Sequence, residues 1–218
     1  MKQNPPRLQL IPFFLFVECV IYVLFLTLDL LDHFELSLWL KYSGSLFCAA
    51  FSLTGRDRIT QAALALTAIA DWFLHIQNTH WLLGIFLFLC VQSLYQLRLH
   101  REGCPGDIRL RIGLTAALMA LLFPLNMVTP LNLLAMLYFS QLIANIILAW
   151  SFSSAGLFAW GLTLLSGCDL CVGLLHAPLL PPSFCAVAGF GIWLFYLPSL
   201  VLIALSALSP KEAFYENK

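Results

Sequence analysis

Charged residues are scarce in this chain of 218 residues, because Asp, Glu, Lys and Arg together make up only 10% of it. Hydrophobic residues make up 61%, and the mean hydropathy is +0.90. Soluble domains carry about 25% charged residues, so the composition excludes a soluble domain and indicates a multi-pass membrane protein. The formal net charge is zero, and no basic stripe stands outside the short loops, so we expect no nucleic-acid partner.

The motifs of common soluble enzymes are also missing. The sequence has no nucleophile elbow, no phosphate-binding loop and no dinucleotide fingerprint. Seven cysteines are an odd number, and most lie in apolar stretches, so a disulfide framework is not predicted. Cys168 and Cys171 are spaced like a redox or metal pair, but within an apolar helix small residues that ease helix contact are the favoured interpretation. We expect no cofactor and no metal, so any chemistry must come from carboxylates.

Long apolar runs fill the chain instead. Each is close to the ~20 residues that cross a hydrocarbon core. The connections between them are short, which favours an all-α bundle of antiparallel neighbours in one transmembrane domain, 1–218, with halves of about 1–100 and 105–218. We predict eight membrane spans, at about 9–28, 38–53, 59–76, 80–98, 110–127, 130–150, 155–176 and 183–208.

Basic residues predict the orientation, since Lys and Arg collect in cytoplasmic loops. An inside N-terminus places ten of the eleven basic residues on the cytoplasmic side and leaves Lys41 within the second span. Both termini are then cytoplasmic, in a membrane of the bacterial inner membrane or endoplasmic reticulum type. The cytoplasmic set is Lys2, Arg7, Arg56, Arg58, Arg98, Arg101, Arg109, Arg111, Lys211 and Lys218.

The two sets of four spans show a weak likeness. The third span of each set carries an aspartate, Asp71 or Asp169, and the fourth carries a tyrosine, Tyr95 or Tyr196. Four spans per half make such a repeat parallel, with its axis along the membrane normal. We therefore consider a parallel repeat of four plus four helices.

Four ionisable residues lie within the predicted spans: Glu18, Lys41, Asp71 and Asp169. A charge at the bilayer centre costs roughly 2.5 to 3.5 kcal/mol on insertion scales, so these groups should face the bundle interior, a partner or a wet cavity. Helix position places Lys41 and the two aspartates at similar depth. The sequence therefore predicts a polar site formed by the second, third and seventh spans.

Other interpretations of these residues stay open. Lys41 can snorkel to the interface, Glu18 can be a single buried acid bonded to a neighbouring helix, or Lys41 can hold both aspartates in a structural salt bridge. His75 lies one turn from Asp71, and His176 lies two turns from Asp169. A zinc site of these four side chains is conceivable, although the spacings match no metal signature.

The segments "ADWFL" and "WLLGIFLFLCVQSLY" resemble the third and fourth helices of the YhhN family of lysoplasmalogenase-like membrane proteins. The family pattern there is Gly-Asp-hydrophobic, then Gly-x-x-x-Phe, then His-x-x-Tyr. The resemblance covers nearly the whole chain through short, degenerate motifs. The matching residues are Asp71, Gly84, Phe88 and Tyr95, followed by Lys41, Asp169 in "SGCDL" and Tyr196 in "FYLPSLVLI".

The chain departs from the family pattern at three places. Gln92 replaces the histidine, Tyr42 replaces the proline after Lys41, and Ser199 or Leu200 replaces the last glutamine. Glutamine can hold a hydrogen bond but cannot titrate. A slow, altered or inactive enzyme is therefore one expectation.

The resemblance implies hydrolysis of the vinyl ether bond of a lysoplasmalogen, a lysophospholipid substrate drawn from membrane lipid. That reaction needs an acid that protonates carbon and a carboxylate that stabilises the oxocarbenium ion or activates water, which a pair of buried carboxyl groups can supply. Asp71 and Asp169 are the catalytic candidates, with Asp169 favoured as the acid because it lies farther from Lys41. The expected substrate-binding residues are Lys41, Gln92, Tyr95, Tyr138 and Tyr196.

Two other functions remain possible from the sequence. Buried acids and a possible repeat are typical of proton-coupled transporters and lipid-moving proteins. The missing histidine favours a catalytically silent relative that binds lipid or a protein partner.

Overall fold

The computed structural model describes residues 6–152, 156–176 and 181–208. Every regular element in these ranges is helical, which confirms the all-α prediction. The termini with Lys2, Lys211 and Lys218, on which the predicted orientation partly depends, lie outside the described residues. The α-helices are α1 (Pro6–Leu30), α2 (Phe34–Ser52), α3 (Arg58–Asp71), α4 (Trp81–Arg101), α5 (Ile108–Leu122), α6 (Pro130–Phe152), α7 (Gly156–Leu175) and α8 (Pro182–Ser206).

Each of the eight apolar stretches overlaps one of these helices. In the described residues, six helices are long and apolar enough to cross a membrane. These are α1, α3 with its continuation to Gln77, α4, α6, α7 and α8. Helix α2 contains Glu35 and Lys41, and α5 has only 15 residues. The chain is thus a multi-pass membrane protein with six candidate spans.

Short polar signals set the helix ends. Asp57 caps α3 by accepting a hydrogen bond from the backbone N–H of Ile59 at 3.1 Å, and Asp107 caps α5 through the N–H groups of Arg109 and Leu110. Such side chains satisfy donors that the first helical turn leaves unpaired. The loop between α4 and α5 passes through Gly103, whose φ of +89° is a conformation that favours glycine.

The polarity of the bundle is reversed relative to a water-soluble protein. Large apolar side chains cover the outside, among them Phe13, Phe16, Phe123 and Val187. Small polar side chains fill much of the inside, among them Ser37, Ser52, Thr60, Thr67, Ser140, Asn145 and Ser199. Apolar side chains are stable on an exterior that faces lipid, whereas polar side chains in the interior can form hydrogen bonds between helices. This distribution supports placement in a membrane.

The helices pack in a similar order in both halves. Helix α1 contacts α2, α2 contacts α3 and α3 contacts α4, and the same succession links α5 to α8. Between the halves, α2 packs on α8 and α4 packs on α6. This arrangement brings the C-terminal part of α3 close to α2 and α8.

Arg98 joins several helices at one end of the bundle. Its guanidinium donates to Thr60 Oγ1 on α3 and to Ser206 Oγ on α8, both at 2.7 Å. Its Nε lies 3.2 Å from both Asp57 Oδ2 and Glu102 Oε1. Charge counting placed Arg98 at the cytoplasmic end of the fourth predicted span, and the structure shows its side chain buried as a link among helices.

Helices α7 and α8 pack closely at Gly161. A Cβ atom there would lie 2.6 Å from Ile203 Cγ1 and 3.1 Å from the backbone oxygen of Ser199. Overpacking typically costs 1 to 3 kcal/mol, so we expect Gly161→Ala to lower the free energy of unfolding by about 2 kcal/mol. Thermal melting in detergent measures the change.

Gly113 on α5 is the matched control, because a Cβ there would meet nothing within 4 Å. Alanine favours a helix over glycine by up to about 1 kcal/mol, so Gly113→Ala should keep or raise the melting temperature. Equal losses of melting temperature in both variants would show that the close contact between α7 and α8 at Gly161 does not cause the effect.

Candidate functional site

The site centres on Asp71, the last residue of α3. Its side chain is only 1% exposed. The hydroxyl of Tyr196 on α8 donates to Asp71 Oδ1 at 2.6 Å, and Nε2 of His75 lies 3.9 Å from the same oxygen. Ser45 on α2 lies beside the carboxyl. Among the described residues, Asp71 Oδ2 has no hydrogen-bond partner.

A break in helical geometry positions His75. After Asp71 the chain continues as a π-helical segment, Trp72–Gln77, which ends at Asn78 in the left-handed region with φ of 49°. Single π-helical turns occur frequently at functional sites. Leu74 of this segment packs on Gly84 of α4, where a Cβ would lie 2.4 Å from Leu74 Cδ2. Glycine at position 84 therefore allows the segment to pack closely against α4.

Asp169 lies in the same region with a tyrosine of its own. The hydroxyl of Tyr138 on α6 donates to Asp169 Oδ2 at 2.6 Å. Cys168, the residue before Asp169 on α7, is buried. Each aspartate makes its hydrogen bond with a tyrosine rather than with the other carboxyl. The structure therefore holds the two aspartates in two separate Asp–Tyr pairs.

Lys41 has a different partner from the one considered in the sequence. Its Nζ lies 2.7 Å from Asp29 Oδ2 and 4.5 Å from the ring centroid of Trp193. The alternative in which Lys41 bridges both aspartates is therefore wrong. Asp29 balances the charge of Lys41, so distance from Lys41 no longer identifies Asp169 as the acid.

Gln92 and Tyr95 make their contacts elsewhere. Gln92 is fully buried, and its Oε1 accepts from Asn145 Nδ2 on α6 at 3.0 Å. Tyr95 is buried with its ring edge against Phe158, at a centroid distance of 5.3 Å. Of the predicted substrate-binding residues, Tyr138 and Tyr196 contact the aspartates, whereas Lys41, Gln92 and Tyr95 are bound to other partners.

Sequence reasoning missed how α2 supports the site. Its buried face carries polar and small residues at helical spacing, and this pattern was the available signal. Cys48 on this face donates to Glu18 Oε1 of α1 at 3.2 Å and interacts electrostatically with Asp71. A second oxygen, Glu18 Oε2, has no partner among the described residues. The polar and small residues of the buried face are Ser37, Lys41, Gly44, Ser45, Cys48 and Ser52, and Phe51 is buried with them.

The zinc alternative receives no structural support. His176 is exposed, and its Nδ1 lies 2.9 Å from the backbone oxygen of Val172 in its own helix. Within residues 6–152, 156–176 and 181–208, no group of three or more His, Cys, Asp or Glu side chains is placed to hold a metal ion.

The comparisons with known proteins do not identify a family. No family model matches the chain, and neither a curated protein nor a solved structure matches it. The resemblance to the YhhN family therefore rests on the sequence segments given above.

The arrangement has the groups needed for proton transfer. His75 Nε2 lies 3.9 Å from Asp71 Oδ1, so proton exchange between them requires the two side chains to move into hydrogen-bond distance, and the Tyr196 hydroxyl fixes the carboxyl orientation. Asp169 is half-buried and more accessible than Asp71. Asp71 is therefore closed off from the surface of the bundle, whereas Asp169 is partly accessible.

Proposed function

We propose that the chain is a membrane-embedded hydrolase that cleaves the vinyl ether bond of lysoplasmalogen-type lysophospholipids to a fatty aldehyde and a glycerophospho-base. The observation that carries the proposal is the buried Asp71 carboxyl held by Tyr196 at 2.6 Å, with His75 at 3.9 Å. Asp169 supplies the second carboxyl that this chemistry uses.

The reaction begins with proton transfer to carbon. Asp71 delivers a proton to the vinyl carbon that lies farther from the ether oxygen, which forms an oxocarbenium ion, and Asp169 stabilises that cation and orients the water that adds to it. The resulting hemiacetal breaks its bond to the glycerol oxygen, which takes up a proton as the aldehyde forms. Water capture releases the proton that restores Asp71 through His75. Glycosidases stabilise a similar cation with two carboxyl groups.

His75 can take the place of the family histidine that Gln92 replaces in this chain. In the family pattern the histidine lies on the fourth helix, where this chain has Gln92 bonded to Asn145. His75 places an imidazole beside Asp71 from the third helix instead. The chain therefore retains a titratable partner for its buried acid.

We also propose that α2 and α5 complete eight spans with both termini cytoplasmic. The packing of α2 against α1, α3 and α8 supports this topology. The like order of helix neighbours in the two halves supports a parallel repeat of four plus four helices. The enzyme would draw its substrate from the surrounding lipid of a bacterial inner membrane or an endoplasmic reticulum.

Aldehyde release by the purified protein tests the function. The substrates are choline and ethanolamine lysoplasmalogens, and the control is a lysophospholipid with an ester-linked chain, which contains no vinyl ether. We expect aldehyde only from the lysoplasmalogens. A folded protein that releases none from either head group would refute the hydrolase.

A proton-coupled transporter is the second candidate, and Glu18 favours it. This acid is 3% exposed, has one unpartnered oxygen among the described residues and connects through Cys48 to the surroundings of Asp71. Intramembrane acids of this kind form proton relays. Proton-dependent lipid movement across vesicles without aldehyde release would favour transport.

Removal of the Tyr196 hydroxyl should slow the hydrolase. We expect Tyr196→Phe to lower kcat by roughly 30-fold with a small change in KM, because an orienting hydrogen bond to a proton donor contributes part of the 10² to 10⁴ of general acid catalysis. Steady-state aldehyde release measures both constants.

Tyr22→Phe is the matched control for that change. The Tyr22 hydroxyl donates to the backbone oxygen of Leu194 at 3.1 Å, away from both aspartates. If Tyr22→Phe and Tyr196→Phe lower kcat equally, the hydrogen bond to Asp71 has no special role.

A further inference from the structure

Arg111 is buried, although charge counting places it at the cytoplasmic end of the fifth predicted span. It lies in the first turn of α5, and its side chain is 4% exposed. Arg109, two residues earlier on the same helix, is exposed. Long basic side chains near helix ends usually reach water, so burial of this one guanidinium needs an explanation.

The described partners of Arg111 are neutral. Its Nη1 donates to Gln141 Oε1 and its Nη2 to Asn145 Oδ1, both at 2.8 Å. Asp107, the nearest acid in sequence, accepts instead from the backbone N–H groups that begin α5. A buried charge without a counter-charge is costly. The ion pairs found among the described residues leave the charge of Arg111 unbalanced.

One guanidinium nitrogen of Arg111 is also free to bind a ligand. The Nε atom is buried and has no hydrogen-bond partner in the described part of the chain. An arginine offers five N–H donors in a rigid planar fork that matches carboxylate and phosphate oxygens. The two bonds to Gln141 and Asn145 fix the orientation of that fork.

A cavity of about 30 Å³ lies beside Arg111 at the junction of α4 and α5. A cavity of this size holds about one or two water-sized atoms. It therefore admits one ligand oxygen, while the rest of the ligand stays at the mouth, where His100 is exposed. The lining residues are Gln96, Leu99, His100, Cys104, Pro105, Gly106, Arg111 and Leu148.

This cavity lies far from Asp71. Arg98, near the end of α4, contacts Asp57 and Thr60 at the start of α3, whereas Asp71 ends α3. Fourteen residues at 1.5 Å per residue separate the two ends by roughly 20 Å. The cavity is therefore independent of the proposed hydrolase site.

We propose that Arg111 and this cavity bind a phosphate group, with one oxygen against the guanidinium and the remainder at the mouth beside His100. A phosphate supplies the missing negative charge, accepts from the free donors and suits the fork geometry of arginine. The same chemistry is offered by free inorganic phosphate and by the head group of an anionic phospholipid, and both reach the end of a membrane helix.

Thermal melting of the full-length protein tests the proposal in two arms. The first arm titrates inorganic phosphate in detergent against sodium chloride of equal ionic strength. The second compares nanodiscs of phosphatidylcholine with nanodiscs that contain phosphatidylglycerol. A ligand that binds only the folded state raises the melting temperature with its concentration. Arg111→Gln removes the guanidinium proposed to bind phosphate, and Arg109→Gln makes the same charge change at an exposed position.

We expect a rise in melting temperature for the wild type and Arg109→Gln, and an affinity weakened at least about tenfold in Arg111→Gln. A rise in the first arm identifies free phosphate, and a rise in the second arm alone identifies a lipid head group. If Arg111→Gln does not fold, His100→Ala replaces it, because this exposed residue lines the mouth, and it should weaken binding several-fold. The proposal is overturned if neither arm raises the wild-type melting temperature or if Arg109→Gln loses the response equally.

Discussion

Asp71→Asn is expected to lower aldehyde release by roughly 10³-fold or more, within the contribution of general acid catalysis. Asparagine keeps the shape of the side chain and can still accept from Tyr196, but it cannot deliver a proton. Because the bond between Tyr196 and Asp71 has an uncharged donor, the bundle should remain folded. Initial rates with a lysoplasmalogen, measured on protein of unchanged melting temperature, check the result.

Asp32→Asn provides the matched control. Asp32 is exposed in the turn between α1 and α2 and has φ of 60°, a conformation that asparagine also adopts readily. The same chemical change should leave aldehyde release unaltered there. Asp169→Asn should lower the rate by roughly 10²-fold, since it removes the charge that stabilises the cation while the acid remains. Full activity in a folded Asp71→Asn protein would contradict the assignment of the acid.

Arg98→Met is expected to lower the free energy of unfolding by about 3 kcal/mol, the scale for breaking a buried ion pair. Methionine fills part of the volume and leaves Asp57, Thr60 and Ser206 without the donor that links them. It also removes the guanidinium that lies 4.0 Å from the ring centroid of Phe158 on α7. Thermal melting should show a fall of several degrees.

Arg101→Met on the same helix is the control for the loss of a positive charge. Arg101 is exposed at the last position of α4, so its replacement should change the melting temperature little. Comparable losses in both variants would assign the effect to net charge rather than to the links made by Arg98.

Hydropathy could predict the helices because few other backbone conformations are stable in lipid. Backbone N–H and C=O groups in a bilayer must be bonded within their own segment, so a long apolar run becomes a helix. The predicted stretch 130–150 agrees with the observed helix Pro130–Phe152 to within two residues at each end. Prediction from hydropathy is weaker for α2. Glu35 and Lys41 reduce the hydropathy of this helix, which nevertheless packs against α1, α3 and α8.

The contacts of the site could be predicted only in part. Intramembrane charge correctly indicated that Asp71 is buried, because an unpaired acid in lipid is costly. Its bond to Tyr196 joins residues 125 positions apart and depends on the rotation of α3 and α8 about their axes. Charge counting placed Arg111 at the cytoplasmic end of the fifth predicted span, where a positive residue has the same sequence signal whether its side chain is solvated or buried.

The π-helical segment Trp72–Gln77 has an evolutionary consequence. A π turn bonds residue i to i+5 rather than i+4, so it accommodates one residue more than an α-helical turn. A one-residue insertion into an ancestral α3 would produce this geometry, and a one-residue deletion would remove it. Homologues that lack the segment should therefore show a single-residue gap between Asp71 and Asn78.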